Sequence, residues 1–135
     1  MTTPAASGHE GKKVLVVDDE KFVRELLKIK LRHCHLAVLE AANGVEAVEK
    51  ARAERPDIIL MDVMMPRMNG FEACLALKSD PETARIPIVM LTARGEQTDQ
   101  EKGKTVGATD YFSKPFSLQK LADRVIEILQ NPPPS

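Results

Sequence analysis

Tryptophan is absent from the chain, and other aromatics are scarce: one tyrosine and four phenylalanines among 135 residues. The core must therefore be aliphatic, and a hydrophobic content of 43% suffices for one domain of common size. Neither sign of charge is in excess, since 19 basic and 20 acidic residues leave a net charge of -1. That balance lacks the basic excess of a nucleic-acid footprint and disfavours electrostatic attachment to a membrane. Only two cysteines occur, Cys34 and Cys74, far apart in sequence. They are too few for a disulfide framework, so reduced thiols in a reducing compartment are expected. No apolar run approaches the roughly 20 residues of a spanning helix. The first 11 residues have neither the basic nor the apolar region of a secretory signal. The expected location is the cytoplasm.

Repeats and low-complexity segments are also missing. Residues 1–11 are small and polar, and residues 131–135 include Pro132, Pro133 and Pro134, so both ends are expected to be tails around a domain at 12–130. Inside it, two kinds of segment alternate. Val14-Leu15-Val16-Val17 stops at Asp18, Ile58-Ile59-Leu60-Met61 at Asp62, and the run from Ile86 to Leu91 at Thr92. A weaker run, Tyr111-Phe112-Ser113, stops at Lys114, and Ala37 to Ala41 is a further candidate. Short continuous apolar runs suit strands buried on both faces of a parallel sheet.

Helical spacing lies between the strands. Val23, Leu26, Leu27 and Leu31 form one stripe; Leu118, Leu121, Ala122, Val125, Ile128 and Leu129 form another, after an N-cap candidate at Ser117. Val45 with Val48, and Phe71 with Cys74 and Leu75, mark two shorter helices. Residues 97–106 are the poorest helix, polar and interrupted by Gly103. Five alternations with right-handed crossovers predict an α/β fold: a doubly wound five-stranded parallel sheet with five helices.

Ligands of such sheets bind beyond the carboxyl ends of the strands. The fold would thus gather Asp18, Asp19, Asp62, Thr92 and Lys114 into one crevice. Three carboxylates held together repel one another, and a cation relieves that. Oxygen ligands of this kind suit Mg²⁺, which pairs one or two carboxylates with phosphate oxygens. A carboxylate can also attack phosphorus and become an aspartyl phosphate, with Lys114 neutralising the transferred group and the Thr92 hydroxyl donating to it.

Four stretches carry a resemblance: VLVVDDE at 14–20, DIILMDVMMPRMNG at 57–70, VMLTA at 89–93 and DYFSKPF at 110–116. Their order and spacing resemble the receiver domain of two-component response regulators, of the single-domain type, over roughly residues 13–129. The resemblance implies a flavodoxin-like receiver fold with Asp62 as phosphoacceptor. It implies a Mg²⁺ site from Asp18, Asp19, Asp62 and the backbone carbonyl of Met64, with Asp19 a more direct ligand than Asp18. Thr92 and Lys114 take the place of the phosphoryl-contacting pair, and Tyr111 that of the switch aromatic. Pro115 takes the place of a proline after a cis peptide. Met64 and Arg94 fall where the path of the hydrolytic water is bordered. The implied partners are a sensor histidine kinase or histidine phosphotransfer protein as donor and a downstream protein as target, with no direct role for nucleic acid or membrane.

Plainer readings exist for the same residues. Asp18 and Asp19 could cap the helix that follows, and Asp62 could be a strand-end turn residue. Tyr111 could be an ordinary half-buried strand tyrosine. Consecutive His33, Cys34 and His35 cannot all face one ion on regular structure, so a helix C-terminus favoured by the histidine is expected there. Lys102 and Lys104 read as a solvated face. Among other function classes, a haloacid dehalogenase-type phosphatase also uses a strand-end aspartate with Mg²⁺. It needs a second aspartate two residues on as acid and base, and Met64 stands there. Turnover of external phosphoesters is therefore not expected. A piece of a larger regulator or hybrid kinase is the third reading.

Overall fold

The computed structural model describes residues 9–65, 68–92 and 107–132. Five strands form one parallel sheet: β1 (Lys13–Val17), β2 (Ala37–Ala41), β3 (Ile58–Asp62), β4 (Ile88–Thr92) and β5 (Asp110–Ser113). Four helices lie among the described residues: α1 (Lys21–His33), α2 (Gly44–Glu54), α3 (Gly70–Lys78) and α4 (Leu118–Gln130). The expected weak helix at 97–106, with Lys102 and Lys104, falls outside the described residues.

The strand order is β2-β1-β3-β4-β5, so the chain leaves β1 in one direction for β2 and in the other for β3. That is the switch point of a flavodoxin-like sheet. The alternating faces of the central strands separate the core in two. Leu15, Val17, Ile59, Met61, Ile88 and Met90 face Ala47, Ala51, Cys74 and Leu77 of α2 and α3. Val14, Val16, Ile58, Leu60, Val89 and Leu91 face Leu27, Leu31, Leu121, Val125 and Ile128 of α1 and α4. All twelve of these strand residues are fully buried, each large aliphatic contributing roughly 1.5–3 kcal/mol. Burial on both faces is why these strands read as unbroken apolar runs.

The helix ends follow their sequence signals. Asn43, Asn69 and Ser117 accept from backbone N–H groups three residues on, capping α2, α3 and α4. The α1 helix ends at His33 with Cys34 as C-cap, and His35 has a positive φ of 67°. Among the described residues no metal-ligating cluster forms there. Neither Cys34 nor Cys74 is in a disulfide, and burial pushes the Cys74 thiol up to about 11.

Two expectations need correction, and one of the plainer readings does not hold. Leu26 and Leu75 are exposed rather than part of the apolar stripes; the buried positions are Leu27 and Leu31 in α1, and Ala73, Cys74 and Leu77 in α3. Asp18 and Asp19 do not occupy the N-cap of α1, which is Glu20; instead an Asp18 carboxylate oxygen accepts from the Glu20 N–H. The expected tail at 1–11 is packed at its inner end. His9 is buried and its ring bonds the Cys34 carbonyl, while the Gly11 N–H donates to His35.

Candidate functional site

The carboxyl ends of β1, β3, β4 and the segment after β5 meet at one edge of the sheet. Parallel pairing sets this convergence: Val17 pairs with Met61, Asp62 with Leu91 and Thr92 with Ser113. Asp18 and Asp19 directly follow β1, Asp62 ends β3, Thr92 ends β4, and Lys114 directly follows β5.

Three carboxylates converge there. Asp18, Asp19 and Asp62 each offer an oxygen within 4.8 Å of the other two. Asp18 and Asp62 are buried, whereas Asp19 is exposed. The Lys114 ammonium bridges the two buried ones, 3.1 Å from Asp18 and 3.2 Å from Asp62. Burial, then the Asp18 charge, pushes the Asp62 carboxyl up to about 6 despite Lys114 and the Met64 backbone N–H, which act the other way. Burial alone would lower Lys114, but its bond to Asp18 and the surrounding carboxylate charges outweigh that and hold it above its ordinary range. Thr92 is fully buried, and its hydroxyl has no hydrogen-bond partner among the described residues. A buried hydroxyl left so is a donor without an acceptor.

Backbone geometry shapes the acceptor loop. The Gly70 N–H donates to the Val63 carbonyl at 2.9 Å, and a Cβ on Gly70 would sit 2.4 Å from the Asp62 carbonyl oxygen. A side chain at position 70 would therefore displace the strand end that presents Asp62. Gly44, opening α2, donates to the Met68 carbonyl, and its Cβ would meet that oxygen at 2.3 Å. Sequence reasoning quoted Gly70 within a motif without giving it this task and passed over Gly44. A glycine directly after an N-cap asparagine, as at both positions, was the available signal.

The remaining candidates are placed as follows. Tyr111 is half-buried in β5 and packs against the α2 and α3 side of the core. The Lys114–Pro115 peptide is cis, as expected. Met64 is 68% exposed beside Asp62. Arg94 lies outside the described residues.

The donor set fits a divalent cation. Three carboxylates face one ammonium, an excess of two negative charges, and two of the carboxylates are removed from water. Hard oxygen ligands in this number suit Mg²⁺, which completes its shell with water and phosphate oxygens.

A family model described as "Response regulator receiver domain" matches residues 14–126. The chain belongs to that family. This receiver domain is 43% identical over 119 residues to the alkaline phosphatase synthesis transcriptional regulatory protein PhoP of Bacillus subtilis (strain 168), covering 88% of this chain and 49% of PhoP. The chain thus spans about half the length of the curated relatives it matches. Among solved structures, the chemotaxis protein CheY4 of Vibrio cholerae superposes with a TM-score of 0.82 at 36% identity, over 87% of this chain and 98% of CheY4. The receiver domain of sensor histidine kinase PA1611 from Pseudomonas aeruginosa PAO1 superposes with a TM-score of 0.79 at 32% identity, over 87% and 95% of the two chains. That structure holds a magnesium ion coordinated in its active site cleft. The receiver of the present chain is thus a two-component signalling domain with an acidic crevice at the position its sheet topology dictates.

Proposed function

We propose that this receiver takes a phosphoryl group onto Asp62 from a sensor histidine kinase or histidine phosphotransfer protein and, so modified, regulates a partner protein. The observation that carries this reading is the buried Asp62 carboxylate, held by Lys114 beside two further carboxylates. An Asp62 oxygen attacks phosphorus in line with the donor imidazole; the P–N bond breaks and the imidazole leaves with its electron pair. Asp18, Asp19, Asp62 and the Met64 carbonyl would hold Mg²⁺, which when bound neutralises the carboxylates and the phosphoryl oxygens. Lys114 has a second role once Asp62 is an acyl phosphate: its ammonium turns from that carboxylate to a phosphoryl oxygen. The Thr92 hydroxyl gains in a phosphoryl oxygen the acceptor it otherwise lacks. Its movement makes room for Tyr111 to turn inward and change the β5 face.

The chemistry stops at the protein's own phosphoryl group. With Met64 two residues after Asp62, no carboxylate stands there to protonate the leaving group of an external ester, so steady-state hydrolysis of a generic phosphomonoester should be absent.

The donor's docking face is read from exposure. Phe22, Leu26 and Ile29 are exposed on α1 at spacings of four and three, which puts them on one helix face. The stripe begins three residues after Asp19, beside the crevice, and contiguous exposed apolar surface marks protein contacts. The working compartment on this reading is the cytoplasm, and among the described residues no helix is long and apolar enough to cross a membrane.

Phosphotransfer profiling tests the reading. Labelled phosphate should move from the phosphohistidine of a cognate kinase to the wild-type chain but not to Asp62→Asn. A Phe22→Ser, Ile29→Ser variant should slow that transfer while leaving labelling by acetyl phosphate unchanged. Equal slowing of both routes would remove the docking assignment, and transfer into Asp62→Asn would remove the acceptor.

A further inference from the structure

The carbonyl of the Asp18–Asp19 peptide is held by a side chain outside the crevice. The preceding peptide is pinned too, since the Asp18 N–H donates to the Ala41 carbonyl at 3.2 Å. The Asp18 carbonyl accepts from the Arg24 guanidinium at 2.8 Å. A second nitrogen of that guanidinium, Nε, donates to Glu40 at 3.2 Å. Arg24 stands one turn into α1 and Glu40 near the end of β2, so a single planar fork joins helix, strand and loop. The Arg24 side chain is only 16% exposed, which restricts its freedom to point elsewhere.

This grip bears on Asp19. Among the described residues its carboxylate makes no hydrogen bond or ion pair, and it is exposed. Its direction is therefore set by the backbone. The Asp18 carbonyl and the Asp19 nitrogen belong to the same planar peptide unit. Fixing the carbonyl fixes the plane, and with it the direction in which Asp19 leaves the loop. Asp18 is otherwise secured: one carboxylate oxygen accepts from the Glu20 N–H and the other from Lys114. Asp19 has only the peptide plane.

We propose that Arg24 is a positioning residue for the acidic pair: anchored on Glu40, it orients the Asp18–Asp19 peptide so that the Asp19 carboxylate faces Asp62. Lysine cannot replace it, because an ammonium lacks the planar fork that reaches carbonyl and carboxylate together. The inference rests on the Mg²⁺ role proposed for Asp18, Asp19 and Asp62.

Mg²⁺ titration followed through the backbone amide resonances of residues 18–20 tests it, alongside urea unfolding of each variant. Arg24→Gln should weaken Mg²⁺ binding by roughly tenfold, as outer-shell partners of metal ligands commonly do. The sign is decisive: removing a cation near an acidic crevice would, by charge alone, tighten binding. Arg24→Lys, which keeps the charge, should also bind more weakly than wild type. Lys28→Gln is the charge-matched comparison. It takes one positive charge from Glu40, which Lys28 contacts at 3.0 Å, without touching the Asp18 carbonyl. It should lose stability but keep wild-type affinity for Mg²⁺. Unchanged or tighter binding in Arg24→Gln, wild-type binding in Arg24→Lys, or an equal loss in Lys28→Gln would overturn the proposal. Absence of Mg²⁺ binding in the wild type would instead remove the reading of the site itself.

Discussion

The backbone N–H of Lys114 donates to the carbonyl of Thr92 at 2.8 Å, tying together the ends of β4 and β5. The ammonium and the hydroxyl proposed to contact the phosphoryl group are thus mounted on one stretch of sheet. The same β4–β5 pairing sets Tyr111 opposite Met90.

Neutralising Asp62 should stabilise the metal-free fold. Burial and Asp18 raise its carboxyl from an ordinary 3.8 to about 6. Between those values the unfolded chain releases the proton that the folded chain retains, so stability falls as pH rises through that window and levels off above it. Asp62→Asn removes the slope and should be more stable at neutral pH by on the order of 3 kcal/mol. Urea unfolding in chelator at pH 4 and pH 7.5 measures this. An Asn variant no more stable than wild type at the higher pH would contradict it.

Lys114→Ala should separate metal binding from switching. Its ammonium competes for the carboxylates Asp18 and Asp62, so its removal should leave Mg²⁺ affinity intact or raised. Asp19→Ala should lower it. Calorimetric titration compares the two. The defect of Lys114→Ala should appear after phosphorylation, as failure of the Tyr111 environment to change.

The phosphorylated state should be comparatively long-lived. Fast hydrolysis needs a group that orients water for in-line attack. Met64, exposed beside Asp62, offers a thioether, a weak acceptor that can cover the phosphoryl group. Arg94 has donors only. Decay of the adduct after donor removal should be faster in a Met64→Asn, Arg94→Glu double variant; equal decay would show that these side chains do not set the lifetime.

Much of the fold was legible because central strands buried on both faces leave apolar runs that end abruptly in polar residues. Those ends, Asp18, Asp62, Thr92 and Lys114, line the candidate site, so reading strand boundaries also read the crevice. The Ala37–Ala41 strand was placed correctly although it lies at the sheet edge, half-covered. Leu26 and Leu75 were misplaced because spacing alone does not say which side of a stripe its marginal members take. Arg24 and Glu40 were invisible for another reason. Arg24 bonds Glu40, 16 residues away, and through its other nitrogen the Asp18 carbonyl, a backbone atom that no side-chain pattern encodes. The buried His9 is similar, since only the folded α1–β2 loop supplies its partner.

Intact mass after incubation with acetyl phosphate and Mg²⁺ tests the assignment of Asp62 most directly. The small donor bypasses any partner protein, leaving only the chain's own chemistry. Wild type should gain a single phosphoryl group, lost on mild alkaline treatment as an acyl phosphate, and Asp62→Asn should gain none. A phosphoryl adduct of the same stoichiometry in Asp62→Asn would place the acceptor elsewhere and contradict the mechanism.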